Sequence, residues 1–133
     1  MPPEDAALIL QVVLRHEASL VAALDPAFPQ ESWGFIAQQE VENLLRALIV
    51  LADRQAPLCH DLERLQQLAR VQLPEELVDL QVFAVKARYS PEPTPLPADR
   101  QRLLALIRRL RADVEGAMAA AVAGGVAERE PRR

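Results

Sequence analysis

The sequence contains few of the residues that form disulfides, bind metal ions or carry catalytic motifs. It has one cysteine, Cys59, and two histidines in 133 residues. A single cysteine excludes an internal disulfide and fits a reducing compartment. One cysteine and two histidines also disfavour a four-ligand zinc site. With four glycines and no P-loop, G-x-G-x-x-G or G-x-S-x-G motif, we expect neither a metal nor a cofactor.

Long apolar runs and basic stretches are also missing. No run approaches the ~18 apolar residues that suggest a membrane span, and the start, MPPEDAALIL, lacks the basic region and cleavage site of a signal peptide. We therefore expect no membrane association and a cytoplasmic location. The net charge of −4 disfavours general binding to duplex nucleic acid, so any contact with nucleic acid requires a local basic patch.

Helix-forming residues dominate what is present, and no segment alternates as a strand would. The pattern predicts an all-α, up-and-down bundle of four or five helices. The first helix spans residues 4–24. The second begins after an N-cap at Ser32 and ends at Arg54, and the third follows a cap at Asp61. The fourth begins at Pro74, and the fifth runs from Pro97 to Gly124. Residues 90–97, rich in proline, should form an extended connector. Residues 1–124 thus form one bundle and residues 125–133 a frayed tail.

The apolar stripe of the second helix should carry Phe35, Leu45, Leu48, Ile49 and Ala52 inward, and it also contains two polar residues, Gln38 and Glu42. Because burial of an unpaired amide or carboxylate is costly, each needs a partner. Either the two belong to a polar network between helices, or they mark a functional groove or a dimer contact. His16 lies on the first helix's stripe, and we interpret it as a core or boundary histidine.

Arg54 and His60 flank the short turn that Pro57 enforces between the second and third helices. An arginine offers a planar fork to a phosphate, and the free N–H groups at a helix start favour anions. A histidine can give or take a proton near neutral pH, so the pair could activate an RNA 2′-hydroxyl without a metal. The alternative is structural: an arginine that caps the carbonyls of the second helix, a histidine that merely lies near a helix start, and Asp61 occupying the same amides.

The segment FIAQQEVENLLRALIVLADRQAPLCHDLERL, residues 35–65, resembles the core of the HEPN domain family. The family pattern has F-x-A-Q-Q-x-x-E in one helix and H-D-L-x-x-L after a turn. The matching residues are Phe35, Ala37, Gln38, Gln39, Glu42, Leu45, Arg46, Ala47, Leu48, His60, Asp61, Leu62 and Leu65. Residues 87–91, ARYSP, resemble a later feature of the family. Departures include Asn43 for lysine, Cys59 for threonine, and Gln55 after the arginine.

The resemblance implies a dimerising bundle that binds nucleotide or RNA. Many members with an R-x4-6-H motif are metal-independent ribonuclease toxins, often paired with a nucleotidyltransferase antitoxin. Here Arg54 and His60 fit as R-x5-H and would be the catalytic pair. Arg46, Arg54, Gln55 and Arg64 would bind phosphate or nucleotide. The alternative is a non-catalytic, nucleotide-binding or scaffolding dimer that uses the same surface.

Overall fold

The computed structural model describes residues 3–129, and this part of the chain contains helices, turns and loops without a strand. The all-α prediction is therefore confirmed. The helices are α1 (Pro3–Ala22), α2 (Gln30–Leu51), α3 (Leu62–Ala69), α4 (Glu75–Val78) with a 3₁₀ helix (Asp79–Phe83), α5 (Lys86–Tyr89) and α6 (Arg100–Arg129). No helix among the described residues has both the length and the apolar content to cross a membrane.

Three long helices, α1, α2 and α6, form the body of the bundle. α6 begins beside the α1–α2 turn and runs back along α1, since Arg100 binds that turn and Arg111 binds Glu17. The fully buried side chains come from all three helices and from the short α3, α4 and 3₁₀ helices that close the remaining side. The largest of them are Trp33, Phe83, Leu20, Leu44, Leu45, Ile49, Leu62, Leu65, Leu77, Leu80, Leu103 and Ile107. Burial of these apolar side chains is the main stabilising contribution.

Specific polar contacts fix how the long helices meet. The indole N–H of the fully buried Trp33 donates to the Leu20 carbonyl at 3.1 Å, which ties α2 to α1. The Arg100 guanidinium donates to the carbonyls of Ala23, Asp25 and Phe28 at 2.8, 2.7 and 2.5 Å. One side chain thus satisfies carbonyls in the turn that the end of α1 leaves free.

The predicted bounds of α2 differ from the structure at both ends. The helix begins at Gln30, and its N-cap is Pro29 without a side-chain hydrogen bond, so Ser32 is not the cap. It ends at Leu51 because Asp53 adopts the left-handed region, with φ of 58°, which aspartate tolerates better than most residues. The predicted inward face is confirmed for Leu45 and Ile49, which are fully buried. Phe35 and Leu48 are only half-buried, and Ala52 is exposed.

The predicted fourth helix is wrong as a continuous element. α4 ends at Val78, a 3₁₀ helix follows, and α5 starts only at Lys86. The buried residues Leu77, Leu80 and Phe83 recur every third position. A spacing of three matches the 3₁₀ helix, whose three residues per turn bring these side chains to one side.

The bundle's last helix was predicted to stop at Gly124, but α6 continues through Gly124 and Gly125 to Arg129. Glycine in a helix costs about 1 kcal/mol relative to alanine and does not forbid the helix. Residues 130–133 of the predicted tail lie outside the described part. The predicted connector is confirmed, since residues 90–99 contain neither helix nor strand.

The buried face between α1, α2 and α6 contains an ionisable group without a partner. Glu40 of α2 is fully buried, and neither of its carboxyl oxygens has a hydrogen-bond partner. Burial, and then the nearby negative charge of Glu17, raise the pKa of Glu40 to about 8, while Arg111 acts in the opposite direction. His16 on α1 is half-buried as expected, its Nδ1 lacks a partner, and burial lowers its pKa.

We predict that Gly34→Ala destabilises the fold. A Cβ at Gly34 would lie 2.6–2.8 Å from the Phe83 ring, so a buried aromatic side chain must move. Overpacking of this kind costs about 1–3 kcal/mol. Gly116→Ala on α6 is the matched control, because its Cβ meets nothing within 4 Å. The control should gain roughly 0.5–1 kcal/mol from helix propensity. Urea unfolding of both variants measures the difference, and equal shifts in the same direction would contradict it.

We predict that stability falls as the pH rises from about 4.5 to about 8 because of Glu40. In this window the folded state keeps the Glu40 proton while the unfolded state, with the ordinary value of 4.5, has lost it. The unfolding free energy should therefore decrease by about 1.4 kcal/mol per pH unit from this group. Glu40→Gln keeps the shape without the proton and should remove that slope. Unfolding curves for both proteins at several pH values test this, and parallel profiles would contradict it.

Candidate functional site

The candidate site is organised around Glu42, a buried carboxylate on α2. Its side chain is 4% exposed and accepts hydrogen bonds from the Gln38 amide at 2.9 Å and the Arg46 guanidinium at 2.9 Å. The ring Nδ1 of His60 lies 2.8 Å from the same oxygen that Arg46 contacts. Gln38, Glu42 and Arg46 follow one another at intervals of four residues on α2, so their side chains line a single face of the helix. The polar network anticipated for Gln38 and Glu42 is therefore present.

Arg46 fastens the segment between α2 and α3 to the side of α2. Its guanidinium donates to the Pro57 carbonyl at 3.1 Å and to the Cys59 carbonyl at 2.6 Å, besides binding Glu42. The Gln38 amide adds a 3.4 Å contact to the His60 carbonyl. This arginine was expected to contact phosphate, but within the chain it holds backbone and carboxylate groups. Its role here is to fix the path of the segment that carries His60.

One ring nitrogen of His60 contacts Glu42, and most of the rest of the ring is exposed to solvent. Its side chain is 67% exposed, although Nδ1 meets the buried Glu42. If Nδ1–H donates to the carboxylate, Nε2 is the acceptor, since a neutral imidazole has one nitrogen of each kind. A carboxylate that orients a histidine in this way leaves a solvent-facing nitrogen able to take or give a proton.

Arg54 is not beside His60 within one chain. Its guanidinium donates to the Leu68 carbonyl at 3.1 Å, near the C-terminal end of α3. His60 lies two residues before the start of the same helix. An eight-residue helix is about 12 Å long. Arg54 thus contacts the end of α3 and not its start, and it caps a carbonyl of α3 where the structural alternative expected carbonyls of the second helix.

The backbone amides at the start of α3 are already occupied. Asp61 is the N-cap, and its carboxylate accepts from the Glu63 and Arg64 amides at 3.0 and 3.4 Å. The Gln81 side chain accepts from the Leu62 amide at 2.8 Å. Asp61 was correctly predicted to cap this helix, whereas Gln81 was missed because it comes from the 3₁₀ helix, 19 residues further on. A phosphate therefore finds no free amide at this helix start.

The remaining candidate residues lie in the loop between α2 and α3 or on α3 itself, and none of them is fully buried. Gln55 and Arg64 are exposed, and Cys59 is half-buried and unoxidised. His60, Arg64 and Arg54 thus follow α3 from before its start to its end. No group of three or more histidine, cysteine, aspartate or glutamate side chains within the described residues has the arrangement of a metal site.

Comparisons of the chain with protein-family models, with curated proteins and with solved structures find no match. Function must therefore be argued from the geometry around His60, together with the sequence resemblance of residues 35–65.

We predict that Glu42→Ala strongly destabilises the fold. The change leaves the largely buried Arg46, with a side chain 17% exposed, without its carboxylate and frees Gln38 and His60 from α2. Removing one partner of a buried ion pair costs about 3–5 kcal/mol. Glu63→Ala, an exposed residue of α3, is the control and should change stability by less than about 0.5 kcal/mol. Chemical unfolding measures both, and a Glu42→Ala protein as stable as the control would contradict the proposed role of the network.

Proposed function

We propose that this chain is a HEPN-like, RNA-binding homodimer that cleaves RNA without a metal, with His60 as the general acid–base. The observation that carries the proposal is the exposed His60 ring whose Nδ1 meets the buried Glu42 at 2.8 Å. A buried carboxylate that orients the ring while most of the ring stays exposed to solvent is an arrangement suited to a general acid–base. A nucleotidyltransferase antitoxin as partner follows from the resemblance, and the cytoplasmic location expected from the sequence belongs to the same proposal.

The proposed reaction uses the 2′-hydroxyl of the RNA itself. Nε2 of His60 takes the 2′-hydroxyl proton while that oxygen attacks the adjacent phosphorus. The bond from phosphorus to the 5′-oxygen breaks, this oxygen takes a proton from water, and His60 returns the proton it received to the solvent. The products are a 2′,3′-cyclic phosphate and a 5′-hydroxyl. A positioned acid–base of this kind contributes roughly 10²–10⁴ in rate.

The phosphates of a single strand would follow α3. His60 precedes this helix, Arg64 is exposed in its first turn, and Arg54 reaches the carbonyl of Leu68 near its end. The protein carries a net charge of −4, so these arginines supply the local positive charge that RNA requires. Gln55, exposed beside Arg54 in the sequence, would add a hydrogen-bond donor. Arg46 is not among the residues that would contact RNA; its side chain fixes the path of the loop that carries His60.

A second candidate function is a non-catalytic, nucleotide-binding or scaffolding dimer. The observation that favours it is the start of α3, where Asp61 and Gln81 occupy the amides of Leu62, Glu63 and Arg64. A phosphate near His60 would have no backbone donor there and would meet the Asp61 carboxylate. In this reading, Glu42 and His60 hold the loop in place, and no turnover occurs.

We predict that the wild-type protein cleaves RNA and slows growth when expressed alone in a bacterial host, and that His60→Ala does neither. Because the His60 side chain is largely exposed, its loss should leave the fold intact, as circular dichroism can verify. The purified proteins are assayed on RNA with EDTA and with divalent metal. Intact RNA under both conditions would exclude the ribonuclease, and equal cleavage by both proteins would exclude His60 as its acid–base.

We predict that Arg64→Ala weakens RNA binding and reduces its salt dependence, since one phosphate contact is lost. Arg109→Ala, an exposed arginine on α6 away from α3, is the matched control for loss of charge alone. Fluorescence titration of a short single-stranded RNA with His60→Ala protein separates binding from cleavage. Identical affinities and salt slopes for the Arg64 and Arg109 variants would place RNA on a different surface.

A further inference from the structure

One leucine in the loop before α3 is far more exposed than the other apolar side chains. Leu58 is 99% exposed, whereas the other exposed large apolar side chains of the described residues are 41–76% exposed. The residues on either side of it are half-buried, and Cys59 packs against the core. The core of this chain therefore makes no use of the Leu58 side chain, although it uses the residue next to it.

The loop that carries Leu58 is fixed to α2 on both sides of the leucine. The Arg46 guanidinium donates to the carbonyls of Pro57 and Cys59 at 3.1 and 2.6 Å. The Gln38 amide adds a contact of 3.4 Å to the carbonyl of His60. Leu58 cannot turn toward the core unless these hydrogen bonds break, so the fold itself presents the leucine to solvent.

Leu58 lies beside the residue that we propose as the acid–base. His60 is two residues further along the chain, so the two Cα atoms are at most about 7 Å apart. Because Cys59 between them packs against the core, while Leu58 and the His60 ring are exposed, the two side chains share the outer surface of the loop. Arg64 is exposed in the first turn of the helix that follows. A single apolar group thus accompanies a proton-transferring group and a positive charge.

The surroundings of Leu58 indicate what kind of molecule would cover it. Of the exposed residues between positions 53 and 64, every one except Leu58 is polar or charged. A protein partner normally covers a contiguous apolar patch with a polar rim, and this loop has no such patch. A nucleotide fits better, because its base offers an apolar face and its phosphate offers a negative charge close by. Leucine is among the side chains that proteins insert between neighbouring bases.

We propose that Leu58 contacts the face of an RNA base next to the phosphate on which His60 acts, and so restricts the substrate to unpaired, unstacked nucleotides. The inference rests on the proposed function and deepens it by naming the substrate class. In a duplex the faces of each base are covered by stacked neighbours, whereas the bases of single strands can be splayed out. Because the loop is already fixed, the contact forms without the cost of ordering a mobile segment.

Titration of RNA with the His60→Ala protein, which does not cleave, tests the contact. An added Leu58→Ala should weaken the binding of a short single-stranded RNA about tenfold, the order expected for one leucine that is covered in the complex. The salt dependence should stay unchanged, because no charge is lost, in contrast to Arg64→Ala. Leu8→Ala, which shortens a leucine of α1 that is 61% exposed, is the matched control and should change neither. Circular dichroism verifies that both variants keep the fold.

Two further probes separate contact with a base from contact with phosphate. A ribose-phosphate oligomer of the same length without bases keeps the charges and removes every base face. The parent protein and its Leu58→Ala variant should bind this oligomer equally, whereas Arg64→Ala should still bind it more weakly. The same RNA annealed to its complement should likewise be bound equally with and without the leucine, because its base faces are covered.

Equal affinities of the Leu58→Ala and Leu8→Ala proteins for single-stranded RNA would overturn the inference and leave the leucine to a protein partner, with the proposed function intact. A tenfold loss that persists on the oligomer without bases would also overturn it, because the leucine would then act without a base. If the parent protein binds no RNA, the proposed function fails, and this inference fails with it.

Discussion

The buried charge of Glu42 is the constraint on which the candidate site depends. A carboxylate that is almost excluded from water must be matched by donors, or the fold loses several kcal/mol. Gln38, Arg46 and His60 meet that need from α2 and from the segment before α3. The guanidinium of Arg46 has more N–H donors than Glu42 uses, so it also donates to the carbonyls of Pro57 and Cys59. The path of the loop and the direction of the His60 ring both depend on this one buried carboxylate.

Two glutamates on the same helix show how strongly the local surroundings decide the state of a carboxyl group. Glu42 faces α3 and the loop, where an arginine, an amide and a histidine surround it. Glu40, two residues earlier, faces α1 and α6 and has no hydrogen-bond partner. Burial favours its neutral form and raises its pKa to about 8. The first carboxyl group is paired with an arginine, whereas the second has no partner and is neutral below its pKa of about 8.

Much of the fold could be predicted from the sequence, because prolines and apolar spacing act locally. The all-α class, the long first, second and last helices, the extended connector and the Asp61 cap each depend on residues within a few positions. The 3₁₀ helix was missed because its register is set by packing of Leu80 and Phe83 into the core. In the site, the polar residues of α2 were found by their place on an apolar stripe. The partner of Glu42 in the loop, His60, could not be found, since it lies 18 residues further on. The contacts of Arg54 with Leu68 and of Gln81 with Leu62 were missed for the same reason, because they span 14 and 19 residues.

The network around Glu42 also has a consequence for the order of folding. All its members lie between Gln38 and His60, within a single helix and the loop that follows it. Contacts of short sequence separation cost little loop entropy and form early, whereas those that join distant segments form later. α6, which binds Glu17 across 94 residues, belongs to the second class. We therefore expect the surroundings of His60 to be assembled by a local, cooperative unit of α2 and its loop, before the last helix completes the bundle.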